Sequence, residues 1–318
     1  MSAATTGATL PSTPARRCAS AADVARAAAA ASAVFPGGRD LARAYPLLFD
    51  TSAAGLWMIE DGGRVLAHAG FCVRTAWAGA RTVEVACFGA VFTVPDARGR
   101  GLASAVLAAA LAEATHAGAE LALISGQRAL YGRLGFAALP PVAFVVEPPA
   151  APPPATPPPA DLAVVAATDA DIPTLAALHA AEPAGFVRSA DDWARLLAAG
   201  TVFYGPGTVA LIARAGQPVA YAALEGRPTA RPDGSVIHRA VELGGDRAAL
   251  LDAAPALRAL GVTQAALALL SLASDRAVAD AAARRAWRRT EIQFPFSAAT
   301  LRPSAADFPL PWYGLNYV

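Results

Sequence analysis

A glycine-rich turn flanked by arginine side chains is the part of the sequence best suited to chemistry. It joins an apolar run of strand-forming residues to a long stretch of Ala, Leu and Val, which predicts a strand, a turn and a helix. Gly99 and Gly101 let the backbone bend and leave N–H groups pointing outward at the helix start, where the helix dipole favours an anion. Arg98 and Arg100 add positive charge beside these groups. The turn therefore predicts a binding site for a diphosphate.

Two common phosphate-binding motifs do not fit this turn. The dinucleotide signature Gly-x-Gly-x-x-Gly lacks its third glycine after Gly99 and Gly101. A P-loop needs a lysine, and all 26 residues counted as Lys or Arg are arginine. The same absence of lysine excludes Schiff-base and pyridoxal-phosphate chemistry, which use a lysine amine.

A second motif follows the turn. Apolar residues recur at three- and four-residue intervals from Leu102 to Ala114, which predicts a helix with one buried face. Gly118 is a candidate C-cap of this helix, and residues 120–125 have the pattern of a short buried strand. The segment Tyr131-Gly132-Arg133-Leu134-Gly135-Phe136 comes directly after that strand region.

This order of strand, Arg-x-x-Gly-x-Ala turn, helix, strand and Tyr-x-x-Leu-Gly-Phe resembles the GCN5-related N-acetyltransferase (GNAT) superfamily over about residues 55–146. The resemblance implies acetyl-CoA as co-substrate and an amine of a small molecule or peptide as acceptor. It also implies that the turn binds the CoA pyrophosphate, and that the preceding strand splays from its neighbour to pair with the pantetheine arm. The implied cofactor-binding residues are Val91, Phe92, Thr93, Arg98, Gly99, Arg100, Gly101, Leu102, Ala103 and Ser104.

The sequence departs from the superfamily pattern at one position. Many relatives carry an asparagine seven residues before the motif tyrosine, and here that position is Ile124. Ser125 and Gln127 are the nearby polar residues that could supply the missing contact.

Tyr131 is the residue to which the resemblance assigns catalysis, as general acid. The CoA sulfur leaves as a thiolate, and a phenol with an ordinary pKa of about 10 is protonated at neutral pH and can donate to it. The alternative is a structural Tyr131 that only packs its ring beside Phe136. The acceptor amine has a pKa of about 10.4 if it is lysine-like, so it must lose a proton before it attacks.

The base that would take this proton is left open by the sequence. Glu84 is the only ionisable residue between Val83 and Val94, and His68 lies on the neighbouring predicted strand. The C-terminal carboxylate of Val318 and a chain of water molecules are the other candidates.

Length and composition set the broader class of protein. The 318 residues suffice for two domains, and a hydrophobic content of 55% against 16% charged residues provides material for two cores. Because the net charge is +1 with both signs interleaved, we expect no nucleic-acid and no membrane partner. Three cysteines without Cys-x-x-Cys spacing indicate a reducing cytoplasm, and four histidines without paired spacing predict no metal site.

The chain divides at a proline-rich segment. Residues 148–159 contain eight prolines, which predicts an extended linker rather than a helix or an inner strand. The chain after it repeats the plan of strand, glycine turn, helix and strand, but Gly244-Gly245-Asp246-Arg247 lacks the Arg-x-x-Gly-x-Gly/Ala pattern. The Asp246 carboxylate would stand where a diphosphate must bind. The second copy is therefore predicted to have lost CoA binding.

The fold class expected from these observations is α/β (α+β), with two tandem GNAT-like domains, each a mixed, mostly antiparallel sheet flanked by helices. The predicted division is a catalytic acetyl-CoA-binding domain at 1–147, a linker at 148–159 and a degenerate GNAT-like domain at 160–318. The arrangement is distantly similar to the enhanced-intracellular-survival (Eis-type) acetyltransferases, although 318 residues leave no room for their sterol-carrier domain.

Two alternatives to N-acetyl transfer stay open. The first is a non-catalytic acyl-CoA-binding or regulatory module, suggested by the missing asparagine and the unassigned base. The second is transfer of a longer acyl group, or of an aminoacyl group from tRNA. The acceptor and the oligomeric state, including a homo-oligomer, are not fixed by the sequence.

Overall fold

The computed structural model contains two β-sheets and the helices that pack on them. The described residues are 14–50, 54–139, 143–147, 159–203, 205–230, 236–257, 260, 266–272, 275–292 and 296–310.

The N-terminal half contains a long antiparallel meander followed by a helix that returns the chain to the sheet. In chain order its elements are β1 (Arg16–Arg17), α1 (Ala21–Val34), α2 (Leu41–Ala44), β2 (Ala54–Asp61), β3 (Arg64–Ala78), β4 (Arg81–Thr93), α3 (Leu102–His116), β5 (Leu121–Ser125), α4 (Ala129–Arg133), β6 (Ala137–Ala138) and β7 (Ala143–Glu147).

The C-terminal half follows the same plan. Its elements are β8 (Leu162–Ala166), α5 (Ile172–Ala180), β9 (Ala184–Phe186), α6 (Ala190–Ala199), β10 (Thr201–Val202), β11 (Gly205–Arg214), β12 (Gln217–Glu225), β13 (Thr229–Ala230), β14 (Val236–Gly245), α7 (Arg247–Leu257), β15 (Ala266–Leu272), α8 (Arg276–Ala283), β16 (Arg288–Ile292) and β17 (Phe296–Thr300).

The two sheets have matching strand orders. The first runs β1-β2-β3-β4-β5-β17-β6, and the second runs β11-β12-β14-β15-β7-β16, with β8 and β10 both on β11. Within each sheet the β4–β5 pair and its counterpart β14–β15 are parallel, and the other paired strands are antiparallel. The expected fold class, two tandem mixed and mostly antiparallel sheets flanked by helices, is confirmed.

The two sheets exchange their last strands. β7 belongs to the first half by chain order but lies between β15 and β16 of the second sheet. Conversely, β17 lies between β5 and β6 of the first sheet, where Ala298 pairs with Leu123 on one side and Ala137 on the other. Each sheet therefore needs a strand from the other half, a long-range contact that the sequence does not reveal.

Helix α3 shows how the sequence pattern becomes packing. The apolar spacing predicted one buried face, and Leu102, Val106, Leu107, Ala110 and Ala114 are all buried. The helix packs on β2, β3 and β4. Because two of these residues are alanines, the helix axis can approach the sheet closely without leaving cavities. The first turn of α3 is thereby fixed at the end of β4.

The predicted division of the chain at residues 147 and 160 stays a prediction, and hydrogen bonding crosses it through the exchanged strands. Residues 148–158 of the proline-rich segment and residues 311–318, which include Val318, lie outside the described residues. In the part of the chain that is described, no helix has both the length and the apolar character needed to cross a bilayer.

Replacing Ala298 by proline tests the strand exchange. Proline removes a backbone N–H from a strand with neighbours on both sides, so the free energy of unfolding should fall by about 3 kcal/mol or more. Ala298→Ser keeps the N–H and should cost less than about 1 kcal/mol. Urea denaturation followed by circular dichroism measures both. Equal midpoints for the two variants would contradict the central position of β17.

Candidate functional site

The main structural feature of the first sheet is a V-shaped opening between β4 and β5. The parallel ladder runs from Val85–Leu121 to Phe88–Ile124 and stops there. β4 continues to Thr93, so among the described residues its last five have no partner on the β5 side. Unpaired strand edges expose N–H and C=O groups that can pair with an extended ligand. The splay expected from the sequence is therefore present at residues 89–93.

A bulge at Ala90 marks the point where β4 turns away. His68 of β3 pairs with Phe92 and Gly70 pairs with Gly89, so the two residues between them on β4 face a single residue on β3. Ala90 has φ +51°, a left-handed conformation that costs a non-glycine residue about 1–2 kcal/mol. The imidazole Nδ1 of His68 lies 2.8 Å from the Ala90 carbonyl oxygen. A carbonyl can only accept, so Nδ1 carries the proton and holds the bulge.

His68 is neutral because of where it lies. Its side chain is completely buried, stacked between the rings of Phe49 and Phe92 at centroid distances of 6.2 and 5.8 Å. Burial lowers the pKa of His68 to about 4. His68 lines neither of the cavities described below, so its geometry gives the predicted role as general base no support.

The glycine turn after β4 leaves the N-terminus of α3 open. Residues Pro95–Ala97 form a single 3₁₀ turn, and Gly99 and Gly101 have φ of +78° and +76°. Gly101 is the N-cap residue of α3, and no side chain caps the helix. The Asp96 carboxylate near this turn is bound by both terminal nitrogens of Arg64, which lowers its pKa. The amides of the turn therefore face the opening without a competing carboxylate from Asp96.

The first cavity runs from this turn to α4 and has a volume of about 530 Å³. The predicted cofactor-binding residues Val91, Phe92, Thr93, Arg98, Gly99, Gly101, Leu102, Ala103 and Ser104 all line it, whereas Arg100 does not. The far wall includes the end of α1 and the side chains of Arg128, Tyr131 and Arg133. The structure thus brings most of the predicted residues to one elongated space.

A second cavity of about 350 Å³ adjoins the first, across the mouth of the V. It is lined by the β4 bulge, the end of β5 and the segment from Phe35 to Tyr45. Val91, Arg128 and Tyr131 line both cavities. A group bound at their meeting point would therefore be reached from two sides.

Tyr131 lies at the meeting point because of the motif that contains it. It is on the one-and-a-half-turn helix α4, which ends at Arg133 and turns back so that the Phe136 N–H donates to the Tyr131 carbonyl (3.1 Å). The ring is 4% exposed and packs 6.2 Å from the Phe136 ring. Gly126 lies beside the ring and has φ +98°, a left-handed conformation that favours glycine. The structural and the catalytic interpretation of Tyr131 are both compatible with this position.

The other predicted polar groups lie elsewhere. Glu84 accepts from the Thr75 hydroxyl (2.7 Å) and is four residues before Phe88, about 13 Å along the strand from the mouth of the V. Ile124, which replaces the expected asparagine, is buried where the ladder ends. Ser125 is its neighbour in the second cavity, and Gln127 lines neither space. The Val318 carboxylate falls outside the described residues.

The corresponding place in the second half is filled by the protein itself. The β14–β15 ladder also stops early, at Ala240–Leu269, but Gly245 is followed at once by Asp246 and α7. No loop comparable to residues 94–101 intervenes. Asp246 Oδ1 accepts from the amides of Ala248 (2.7 Å) and Ala249 (3.1 Å), so the start of α7 is capped.

Further carboxylates close this second site. Glu182 accepts from the Gly245 N–H (2.8 Å) and pairs with Arg247, which also pairs with Asp275. On the splayed part of β14, Glu242 forms a bidentate ion pair with Arg188 (2.5 and 2.7 Å). The sequence revealed Asp246 but not Glu182, which follows α5, or Arg188, which precedes α6, because only the folded chain brings them to the site.

The pH dependence of stability tests the neutral, buried His68. An unfolded histidine has a pKa of about 6.5, so between pH 6.5 and about 4 the unfolded chain binds a proton that the folded chain does not. Stability from His68 is therefore complete above pH 6.5 and is lost as the pH falls, by about 3 kcal/mol at pH 4.

His68→Asn removes this titration while keeping a donor near the Nδ1 position. The gap in unfolding free energy between wild type and His68→Asn should therefore narrow by about 3 kcal/mol from pH 7 to pH 4, measured by urea denaturation at several pH values. His116→Asn, at an exposed position on α3, is the matched control and should follow the wild-type curve. A constant gap for His68→Asn would show that His68 is not held neutral.

Comparison with known proteins connects this site with a family. Residues 27–136 match the family model described as acetyltransferase (GNAT) family, a segment that contains the splayed strand, the turn and Tyr131. No curated protein matches the sequence.

Solved structures resemble the whole chain at low identity. A probable N-acyltransferase from Enterococcus faecalis V583 has a TM-score of 0.64 and 12% identity, with 92% of this chain and 73% of that chain covered. A GCN5-related N-acetyltransferase from Anabaena variabilis ATCC 29413 has a TM-score of 0.61 and 16% identity, with 91% and 73% covered. Eis1 from Mycobacterium abscessus has a TM-score of 0.61 and 16% identity, with 94% and 76% covered.

The solved structures establish the fold of the chain. The family model shows that the sequence of residues 27–136 matches the same family. Both agree with the resemblance drawn from the Arg-x-x-Gly-x-Ala and Tyr-x-x-Leu-Gly-Phe motifs. Residues 27–136 thus match the acetyltransferase (GNAT) family model, and the chain as a whole shares the fold of Eis1 and of the two other solved structures.

Proposed function

We propose that the chain transfers an acetyl group from acetyl-CoA to an amine, with the catalytic site in the N-terminal half. The proposal rests on one observation: three features follow one another along a single cavity. An uncapped helix start with left-handed glycines leads into a splayed strand edge, and that edge leads to the Tyr131 side chain. The GNAT family acts in general by acyl-CoA-dependent acyl transfer, which needs these features in this order.

The residues present fit acetyl-CoA in charge and shape. The amides of the turn and the start of α3, together with Arg98, suit the pyrophosphate. The free edge formed by Val91, Phe92 and Thr93 offers main-chain groups to the amides of the pantetheine arm. Arg133 lines the same cavity and forms no ion pair with any described residue, so its charge is available to a phosphate or another anion.

The chemistry at the meeting point of the two cavities is a direct transfer. The neutral amine nitrogen forms a bond to the thioester carbonyl carbon, and the carbon–sulfur bond then breaks. The Tyr131 hydroxyl gives its proton to the departing sulfur, while the nitrogen loses one proton to solvent or to a base. Because the Tyr131 ring is buried between the cavities, the hydroxyl can be presented without a solvent shell that competes for its proton.

The second half is proposed to bind no acetyl-CoA. Its helix start is capped by Asp246, its glycine amide is taken by Glu182, and the loop that would supply further amides is missing. A diphosphate brought to this place would meet two carboxylates. One molecule of acetyl-CoA per chain follows from this asymmetry.

The rival function is a module that binds acyl-CoA without turning it over. It is motivated by Ile124 in place of the expected asparagine and by the lack of a base among the described cavity-lining residues. The two functions differ in one measurement. Thiol release in the presence of amines supports the enzyme, and stoichiometric binding without release supports the rival.

The proposed compartment is a reducing cytoplasm. Cys18, Cys72 and Cys87 are buried and form no disulfide, and burial raises the pKa of the Cys72 thiol to about 12, so unreactive reduced thiols suit that compartment. Among the described residues, no cluster of His, Cys, Asp and Glu is suited to hold a metal ion. The proposed reaction needs none.

Disrupting the turn should abolish cofactor binding. Arg98→Ala with Gly101→Asp removes one positive charge and places a carboxylate at the anion site, where open space surrounds Gly101. Isothermal titration with acetyl-CoA should give one site per wild-type chain and no measurable binding for this double variant.

A matched control exists in the other half. Gly216→Asp with Arg276→Ala makes the same change in charge at a glycine with nearly the same φ, +77°, and an exposed arginine. It should bind acetyl-CoA as the wild type does. A stoichiometry of two for the wild type would contradict the proposed loss of binding in the second half.

Removing the Tyr131 hydroxyl should slow the chemical step. Tyr131→Phe should lower kcat by about 10²- to 10⁴-fold because the thiolate loses its proton donor. The dissociation constant for acetyl-CoA, measured by titration, should change less than threefold or so, since the ring still packs beside Phe136. An unchanged kcat in a thiol-release assay would leave Tyr131 with a packing role only.

A further inference from the structure

The charged side chains described in the lining of the second cavity are all positive. Arg39 and Arg128 line it, and its described lining contains no Asp or Glu side chain. The carboxylate nearest in sequence, that of Asp40, is engaged elsewhere, since it accepts from the amides of Ala42 and Arg43 at the start of α2. A site for a polycationic amine would need carboxylates where this cavity has guanidinium groups.

The two arginines reach the cavity from different segments of the chain, Arg39 from just before α2 and Arg128 from the start of α4. The guanidinium of Arg39 donates to the Tyr45 hydroxyl (3.1 Å) and lies 5.7 Å from the centre of the Tyr45 ring. Arg128 is the N-cap residue of α4, three residues before Tyr131, and pairs with no described carboxylate. The position of Arg128 therefore places a positive charge close to where the acyl group would be transferred.

The rest of the lining is apolar and the space is small. Phe35, Leu41, Phe88, Val91 and Ile124 supply most of the wall. A volume of about 350 Å³ is at the lower end of the range for small-molecule pockets and suits a molecule of amino-acid size. An apolar wall with guanidinium groups at its edges matches a ligand that has an apolar side chain and one anionic group.

We propose that the acceptor is an apolar amino acid, a primary amine that carries a carboxylate, and that Arg39 and Arg128 select for that carboxylate. The inference rests on the proposed acetyl transfer and names the acceptor class of the same site. It predicts poor use of neutral monoamines and of polyamines, which bring no anion to the guanidinium groups.

The same charges bear on the missing base. An ammonium group that enters a cavity with nearby positive charges and an apolar wall loses its proton more easily, because both effects disfavour the charged form. The carboxylate of the bound amino acid offsets part of this ease of deprotonation, because a negative charge favours the ammonium form. That carboxylate is, however, paired with the arginines rather than with the amine. The cavity itself thus assists deprotonation of the acceptor nitrogen.

The test compares acceptors that share one skeleton. L-Phenylalanine, L-phenylalaninamide and 2-phenylethylamine differ only in the carboxylate, and L-leucine with L-leucinamide repeats the comparison. Thiol release is followed at saturating acetyl-CoA, and kcat/KM should be at least about tenfold higher for each acid than for its amide. Because an amine next to an amide group is more easily deprotonated, intrinsic reactivity favours the amides, and a preference for the acids must come from recognition.

Variants assign the selection to the arginines. Arg128→Gln and Arg39→Gln should each lower kcat/KM for phenylalanine by about 10- to 100-fold and leave the value for phenylalaninamide within about twofold. The KM for acetyl-CoA should stay unchanged in both variants. Arg133→Gln is the matched control, since Arg133 lines only the first cavity, and it should leave the acid-to-amide ratio unchanged.

The outcomes separate this inference from the proposed function. Release that is equal or faster with the amides, with 2-phenylethylamine or with spermidine overturns the acceptor class and leaves acetyl transfer standing. A rise in the KM for acetyl-CoA in Arg128→Gln, with all acceptors slowed alike, would assign that arginine to the cofactor and overturn its role in selection. No release with any amine, while acetyl-CoA binds, overturns both the inference and the proposed function.

Discussion

The early end of one parallel strand pair is the constraint on which the rest of the site depends. The β4–β5 ladder stops at Phe88–Ile124, and the space beyond it forms both cavities. The stop is enforced by the bulge at Ala90, whose left-handed backbone would be unfavourable without the hydrogen bond from His68. The imidazole that makes this hydrogen bond is neutral because it is buried. This one contact between β3 and β4 therefore supports the edge on which a cofactor would pair.

The two halves share the arrangement of the strands around the opening but differ in the segment that follows the splayed strand. Both sheets contain the short parallel ladder, so the splay alone does not make a binding site. The difference lies in the segment that follows. The first half has eight residues between β4 and α3, with two left-handed glycines and no side-chain cap. The second half has only Asp246 at that place, and its carboxylate satisfies the helix amides internally. Anion binding thus depends on unsatisfied amides more than on the arrangement of the strands.

Much of the site could be predicted from the sequence because it is local. The turn from Arg98 to Ala103 and the Tyr131 motif depend on glycine conformations and short helix starts that neighbouring residues determine. The role of His68 in holding the bulge could not be predicted, because it depends on the register of β3 against β4. The exchange of β7 and β17 was missed for a related reason: each is a short apolar segment whose sequence is compatible with either sheet. Contacts of high sequence separation, such as Arg188 with Glu242, leave no local pattern.

The strand exchange also gives the second half a structural role in the first sheet. β17 comes from the second half, yet it lies next to β5 at the edge of the second cavity. Its Ser297 hydroxyl donates to the Gly126 carbonyl (2.8 Å), and Gly126 both lines that cavity and lies next to the Tyr131 ring. The Tyr45 hydroxyl on the opposite wall lies within 3.5 Å of the Phe203 carbonyl of the second half, to which it donates. The second half therefore contributes to both walls of the second cavity, a structural role that the first half does not supply alone.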